Sequence, residues 1–244
     1  MAQVCDCYLQ APARYAAGTH TVSVDEMTGI QALERLHPTH PMKPGQPEHR
    51  EFEYVRHGTQ CLIANLEIST GHLPTPTVGA RRTEQDFAEH IQRTVATDPQ
   101  AGWIIVADNL NTHNSETLVR WVAPACGLEV ELGVKGKHGI LKTRHSRAEF
   151  LSDPAHRIRF AYVPKHTSWL NQIEIWFSIL MRRVLRRGNF CSREELREKI
   201  LSFIDYFNSN SRSLSRDASY LAQPNVQPLE VNDCSAIPGL RFIP

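Results

Sequence analysis

The hydrophobic pattern separates a strand-rich first part of the chain from an alternating second part. Between Thr19 and Asp25, Val22 and Val24 alternate with polar residues, the period of a short strand that ends on an acid. Residues 42–51 are rich in proline, glycine and charge and read as a loop. Phe52–Val55 and Cys61–Leu66 are apolar runs on either side of His57-Gly58-Thr59, which predicts a hairpin. Thr83 is placed to cap a helix, because Glu84 and Asp86 follow it near the positive end of the dipole. Phe87, Ile91 and Val95 then recur every four residues, and Pro99 lies beyond the end. Trp103-Ile104-Ile105-Val106-Ala107 is continuously apolar, as in a strand buried on both faces, and it stops at Asp108. A second helix is predicted from Ser115 to Pro124.

Residues 130–157 read as irregular and basic, with Lys135-Gly136-Lys137-His138-Gly139 at their centre. Ile158–Val163 is another strand. A helix from Leu170 to Arg187 carries the stripe Ile173, Trp176, Phe177, Leu180 and Val184, and Gly188 ends it. Ser192 and Glu195 make a capping box for a last helix whose core face is Leu196, Ile200, Phe203, Ile204 and Phe207. Residues 211–244 are rich in proline and serine without a sustained period, which predicts a poorly ordered, atypical tail. The order βββαβαβα, with one more helix after it, predicts an α/β protein. A mixed sheet flanked by helices, as in the ribonuclease H-like fold, has this order, and many other α/β domains share it. Residues 1–18 read as a leader and 19–210 as one domain, with 130–157 as a basic insertion.

The chain has 244 residues, 41% of them hydrophobic and 22% charged, which excludes general disorder. No apolar run reaches the roughly 18 residues of a membrane span. The first twenty residues carry Asp6, Arg14 and His20 without an apolar core, so no secretory signal is expected and the predicted compartment is the cytoplasm. The net charge of +1 conceals an asymmetry. Residues 135–187 hold 12 Lys and Arg against 3 acids, a net of +9, which leaves −8 for the remainder. Such a segment suits nucleic acid, although a solvated face would carry the same charge. The six cysteines form no CxxC pair and read as reduced thiols. His37 and His40 lie on either side of Pro38, so helical spacing cannot hold there, and no structural zinc site is expected.

Three acids stand where packing does not require them. Asp25 and Asp108 end predicted strands, and Glu174 lies in the first turns of the 170–187 helix. Each alone is accounted for by a cap, a turn or a surface charge. Together, at one edge of a sheet, three carboxylates repel one another unless cations neutralise them. Hard oxygen donors select Mg²⁺ or Mn²⁺. Two such ions about 4 Å apart can hold the attacking and leaving oxygens of a phosphodiester displacement.

Three blocks around these acids resemble one family. Val24-Asp25-Glu26-Met27-Thr28-Gly29-Ile30-Gln31-Ala32-Leu33-Glu34-Arg35 resembles the first catalytic block of DDE transposases of the insertion-sequence 630 family, relatives of mariner elements. Val106-Ala107-Asp108-Asn109-Leu110-Asn111-Thr112-His113 resembles their second block. Residues 162–177, Tyr-Val-Pro-Lys-His-Thr-Ser-Trp-Leu-Asn-Gln-Ile-Glu-Ile-Trp-Phe, resemble their third. The resemblance implies a ribonuclease H-like scaffold on which Asp25, Asp108 and Glu174 hold two Mg²⁺ or Mn²⁺ ions. It implies cleavage at the element's end by water and then attack of the freed 3′-hydroxyl on target DNA. The implied partners are transposon ends, target DNA and a second copy in a dimer on DNA, in a prokaryotic cytoplasm beside the nucleoid.

The chain also departs from the family. Asp108 and Glu174 lie 66 positions apart, a longer spacing that the 130–157 insertion explains. Family members carry N-terminal helix-turn-helix modules and a different ending, so truncation or a frameshift is expected here. An inactive relic that only binds DNA, or another ribonuclease H-like nuclease, are the alternatives. Lys135, Lys137, Lys142, Arg144, Lys165, His166, Arg182 and Arg183 are candidate phosphate contacts. His113 either approaches the leaving phosphate or is structural. Trp169, two residues before Asn171 in the third block, either stacks on an unpaired base or packs in the core.

Overall fold

Two long strands, β1 (Thr19–Arg35) and β2 (Tyr54–Glu67), pair antiparallel and form the widest part of the sheet. The structure, a computed structural model, describes residues 2–37, 43–45, 53–165 and 167–211. β3 (Thr77–Gly79) adds antiparallel to β2, while β4 (Gly102–Ala107) and β5 (Ile158–Tyr162) add in parallel on the other side of β1. The order β3-β2-β1-β4-β5 is a ribonuclease H-like mixed sheet, as expected.

The hairpin predicted at 57–59 is a correction. Residues 54–67 are one strand, and β1 continues ten residues past Asp25 to pair with it. Gly58, at φ +110°, does not turn the chain; it sits in a bulge, where His57 and Gly58 oppose Ala32 alone. A reciprocal bulge places Thr28 and Gly29 against Cys61, with Gly29 at φ +66°. An apolar pattern interrupted by glycine fits a bulge as well as a turn, and only the length of the partner strand decides between them. Phe52 and most of the 42–51 loop lie outside the described residues, as do His40 and the 212–244 part of the tail.

Helices cover both faces. α3 (Glu84–Val95), α4 (Glu116–Ala125) and α5 (Arg144–Leu151) pack over Val22, Val24, Trp103, Ile105, Ile158 and Phe160. α3 begins as predicted, with Thr83 and Asp86 making a reciprocal capping box, and α4 begins at the Ser115 cap. On the other face, α6 (Ile173–Leu180) and α7 (Arg193–Ser211) bury Ile173, Trp176, Leu196 and Ile200 against Ile30, Leu62 and Ala64. The leader contains two helices, α1 (Ala2–Leu9) and α2 (Ala11–Ala16); Val4, Cys7 and Tyr8 close the sheet over Ile104 and Val106. Their apolar residues are too few to show a period, and the sheet supplies the partner that makes them helical.

Two further corrections concern the second half. The basic segment is not irregular throughout. Thr143 caps α5, and Val134 bridges His138 across a tight turn. Gly133 in that turn has φ +79°, and a Cβ there would lie 2.2 Å from the His138 carbonyl oxygen, so only glycine fits. The predicted 170–187 helix is broken into a 3₁₀ turn at Ser168–Leu170, then α6, then a π-helical turn at Met181–Leu185. The break ahead of α6 bears directly on the site.

His90 of α3 is fully buried, with Nδ1 2.8 Å from Thr77 Oγ1 of β3. Burial, and to a lesser degree Arg93, push its pKa down to about 3. An unfolded histidine titrates near 6.5, so below that pH the unfolded chain takes up a proton that the folded one refuses. His90 therefore contributes a loss of roughly 1.4 kcal/mol per pH unit between about pH 6.5 and 3, which the raised Asp25 carboxyl offsets in part between about pH 6 and 4. Acid unfolding followed by circular dichroism checks this. His90→Phe should flatten the slope, and an unchanged slope would exclude His90 as its source.

Candidate active site

The site is built at the ends of β1 and β4. Their parallel register pairs Thr19 with Gly102 and Ser23 with Val106; continued two residues, it sets Asp25 beside Asp108. Asp25 lies within β1, because β2 continues to pair with it there, while Asp108 is the first residue past β4. This is the edge where open parallel sheets present their chemistry.

Each carboxylate has a defined setting. Asp25 Oδ1 accepts the Glu26 N–H at 2.8 Å, and Oδ2 accepts from Asn171 Nδ2 at 3.1 Å. Burial is the main force raising its pKa to about 6, and the charge of Asp108 adds to it. For Asp108, burial also works against ionisation. The hydrogen bond and charge of His113, the Leu110 N–H and the charge of Arg144 outweigh it and hold the carboxyl below its ordinary range. Glu174, more exposed, is raised by partial burial and then by the charge of Asp108. The charge of Asp108 thus reaches both of the other acids.

Asn171 connects the third acid to the first. It is fully buried, and its Nδ2 also donates to the Val24 carbonyl at 3.1 Å while its Oδ1 accepts the Ser23 hydroxyl. The Ile173 N–H donates to Ser23 Oγ at 3.0 Å, and the Glu174 N–H donates to the Asn171 carbonyl at 3.1 Å. The first turn of α6 is thereby attached to β1 at Ser23 and Asp25. A continuous helix from residue 170 would leave Asn171 on a helical surface, which is why the chain breaks there.

Glu26 and its partner His113 were not legible as a pair. Glu26 continues the face of Val22 and Val24, and an acid on a buried apolar face needs a counter-charge. Its side chain is 1% exposed, and His113 Nε2 lies 3.1 Å from Glu26 Oε2. His113 Nδ1 lies 2.6 Å from Asp108 Oδ1, Tyr162 donates to its carbonyl at 2.9 Å, and the Phe87 ring packs on the imidazole at 4.2 Å. Burial opposes the charged imidazole, yet Asp108 and Glu26 together push its pKa up to about 10. His113 is thus enclosed between two carboxylates and not free to reach a phosphate. The available sequence signal was the acid itself, two positions after Val24.

Donor atoms of Asp25, Glu26 and His113 lie within 4.8 Å of one another. Both nitrogens of His113 already lie against carboxylates, Nε2 against Glu26 and Nδ1 against Asp108. The carboxylates fit a hard divalent cation. Asp25 and Glu174 are held less acidic than usual without one, and Glu26 Oε1 is buried with no hydrogen-bond partner.

The basic candidates divide by location. Arg144 donates to Asn109 Oδ1 at 2.8 Å, immediately beyond Asp108. Lys135 lies 3.8 Å from Glu116 and is partly neutralised by it. Lys137, Lys142 and Lys165 are exposed, as are Arg182 and Arg183 on the π-helical turn. His166 lies outside the described residues. Trp169 is 57% exposed and not in the core. No helix of the described residues is long and apolar enough to cross a membrane.

None of the curated proteins matches this chain. Among solved structures, a Mos1 transposase paired-end complex with left transposon end is 13% identical with a TM-score of 0.43, covering 90% of this chain and 60% of that one. A Mos1 mariner paired-end complex with Mn is 12% identical with a TM-score of 0.32, covering 88% and 62%. The chain therefore spans less than two thirds of the length of either. Residues 20–197, well over half of the sequence, match the DDE superfamily endonucleases, and the chain belongs to that family.

Proposed function

We propose that this DDE superfamily endonuclease is a transposase catalytic domain of the insertion-sequence 630 type, which cuts DNA and joins the freed 3′-hydroxyl to target DNA. The observation that carries the proposal is the register of β1 and β4, which sets Asp25 beside Asp108, together with Asn171, which bonds the Asp25 carboxylate and leads into the helix bearing Glu174. In this reading Asp25, Asp108 and Glu174 hold two Mg²⁺ or Mn²⁺ ions. Such ions, when bound, activate water and stabilise the charge on the attacking and leaving oxygens.

The protein's own part is positioning. Asn171 fixes the Asp25 carboxylate, and His113 keeps Asp108 ionised and oriented. Arg144, Lys137, Lys142, Lys165, Arg182 and Arg183 supply positive charge for the backbone of transposon-end and target DNA, which recruits DNA irrespective of sequence. Action as a dimer on paired ends belongs to the same proposal.

The test is incubation with supercoiled DNA and either metal. Nicks bearing 3′-hydroxyl ends are expected, chelation should abolish them, and affinity should fall steeply with salt. DNA binding without nicking in either metal would favour the non-catalytic alternative.

A further inference from the structure

Of the four tryptophans, Trp103 and Trp176 are at most 2% exposed and Trp121 packs against the core, whereas Trp169 presents 57% of its surface to solvent. An exposed indole offers a flat π-face to solvent on which another ring can stack. The turn that carries Trp169 is itself hydrogen-bonded. The Thr167 hydroxyl donates to the Pro164 carbonyl at 2.7 Å, the Leu170 N–H donates to the Thr167 carbonyl at 2.9 Å, and Leu170 beside it is buried against Val163. Two residues on, Asn171 bonds the Asp25 carboxylate. The Cα atoms of residues 169 and 171 are thus separated by at most about 7 Å. Exposed Lys165 flanks the same turn.

We propose that Trp169 forms a stacking subsite for an unpaired nucleobase next to the phosphate being cut or joined, with Lys165 taking an adjacent backbone phosphate. The inference rests on the DNA-cutting reading and adds a feature of the substrate to it. Stacking of the indole on a base needs no sequence match, because every base has a π-face, and a rigid aromatic on a short turn loses little entropy when it is covered. The subsite would favour DNA whose bases are already unpaired beside the break, such as a melted end or a nick.

The experiment uses the full chain without metal, so that binding is read apart from cutting. One duplex is fully paired, and another carries a single unpaired 2-aminopurine beside a nick. The wild-type chain is expected to prefer the second by about five- to a hundredfold, with tryptophan and 2-aminopurine emission both quenched. Trp169→Ala should abolish the preference and the 2-aminopurine quenching while leaving affinity for the paired duplex unchanged. Trp169→Phe should restore part of the preference. A preference that survives Trp169→Ala overturns the proposal, as does a wild-type chain that binds both duplexes equally. A change in the mass of the DNA-free protein with Trp169→Ala would make the indole a protein contact and also overturn it. Failure of a folded wild-type chain to bind either duplex would overturn the DNA-cutting reading itself.

Discussion

Replacing Asp25 or Asp108 by Asn, or Glu174 by Gln, is expected to lower metal-dependent nicking by about a thousandfold or more in each case. That corresponds to roughly 4 kcal/mol of lost transition-state stabilisation, at 1.36 kcal/mol per tenfold. The substitutions preserve shape and remove charge, so the loss should not come from unfolding. At Asp25 two effects on stability oppose each other. The carboxyl is held near pKa 6 by burial and by Asp108, so loss of its charge relieves repulsion. Its two oxygens accept from Glu26 N–H and Asn171 Nδ2, and an amide can accept with only one of its two ends. The expected result is a folded protein with a melting temperature within a few degrees of wild type and no measurable cutting. Any one of the three variants that keeps activity within tenfold of wild type removes that residue from the triad.

The second large effect concerns His113. Its removal leaves Glu26, 1% exposed, with only the half-exposed Arg82 guanidinium at 3.8 Å as counter-charge and takes the imidazole from Asp108 as well, and weakening a buried pair in this way costs up to about 3–5 kcal/mol. His113→Ala is expected to lower the melting temperature by roughly 10 °C for a domain of this size. Replacing both members by apolar residues, Glu26→Met with His113→Phe, should recover most of that stability, because the uncompensated charge disappears with its partner. The double variant should still fail to cut, since Asp108 loses the group that orients it. Thermal unfolding of the three proteins measures the first part and a nicking assay the second. A His113→Ala protein that loses less than about 1 kcal/mol would show that the imidazole is not the counter-charge of Glu26.

Legibility differed between elements for local reasons. The starts of α3 and α4 were readable because a cap is a contact over three residues: Thr83 with Asp86, and Ser115 with the Leu118 N–H. Strand β4 was readable because burial on both faces leaves a continuous apolar run. β3 was not, since three residues show no period. The full extent of β1 is not legible locally, because residues 26–35 mix Glu26, Thr28, Gln31 and Glu34 with apolar positions. They are a strand only because β2 pairs with them. Glu174 and Asn171 occupy one block of sequence, yet the distinction between a continuous helix and a broken one rested on Ser23, 148 positions before Asn171.

The sequence alone determined the α/β class, the caps, the buried central strand and the three acids in order, since each depends on neighbours a few residues away. The tertiary structure alone decided which atoms meet. Parallel register set Asp25 beside Asp108, a break before α6 let Asn171 bond Asp25, and packing enclosed His113 between Glu26 and Asp108. Local propensity extends over a turn of helix or a pair of strand positions. Burial of charge and long-range hydrogen bonding depend on residues as far as 150 positions apart at this site, whose proximity exists only once the sheet has formed.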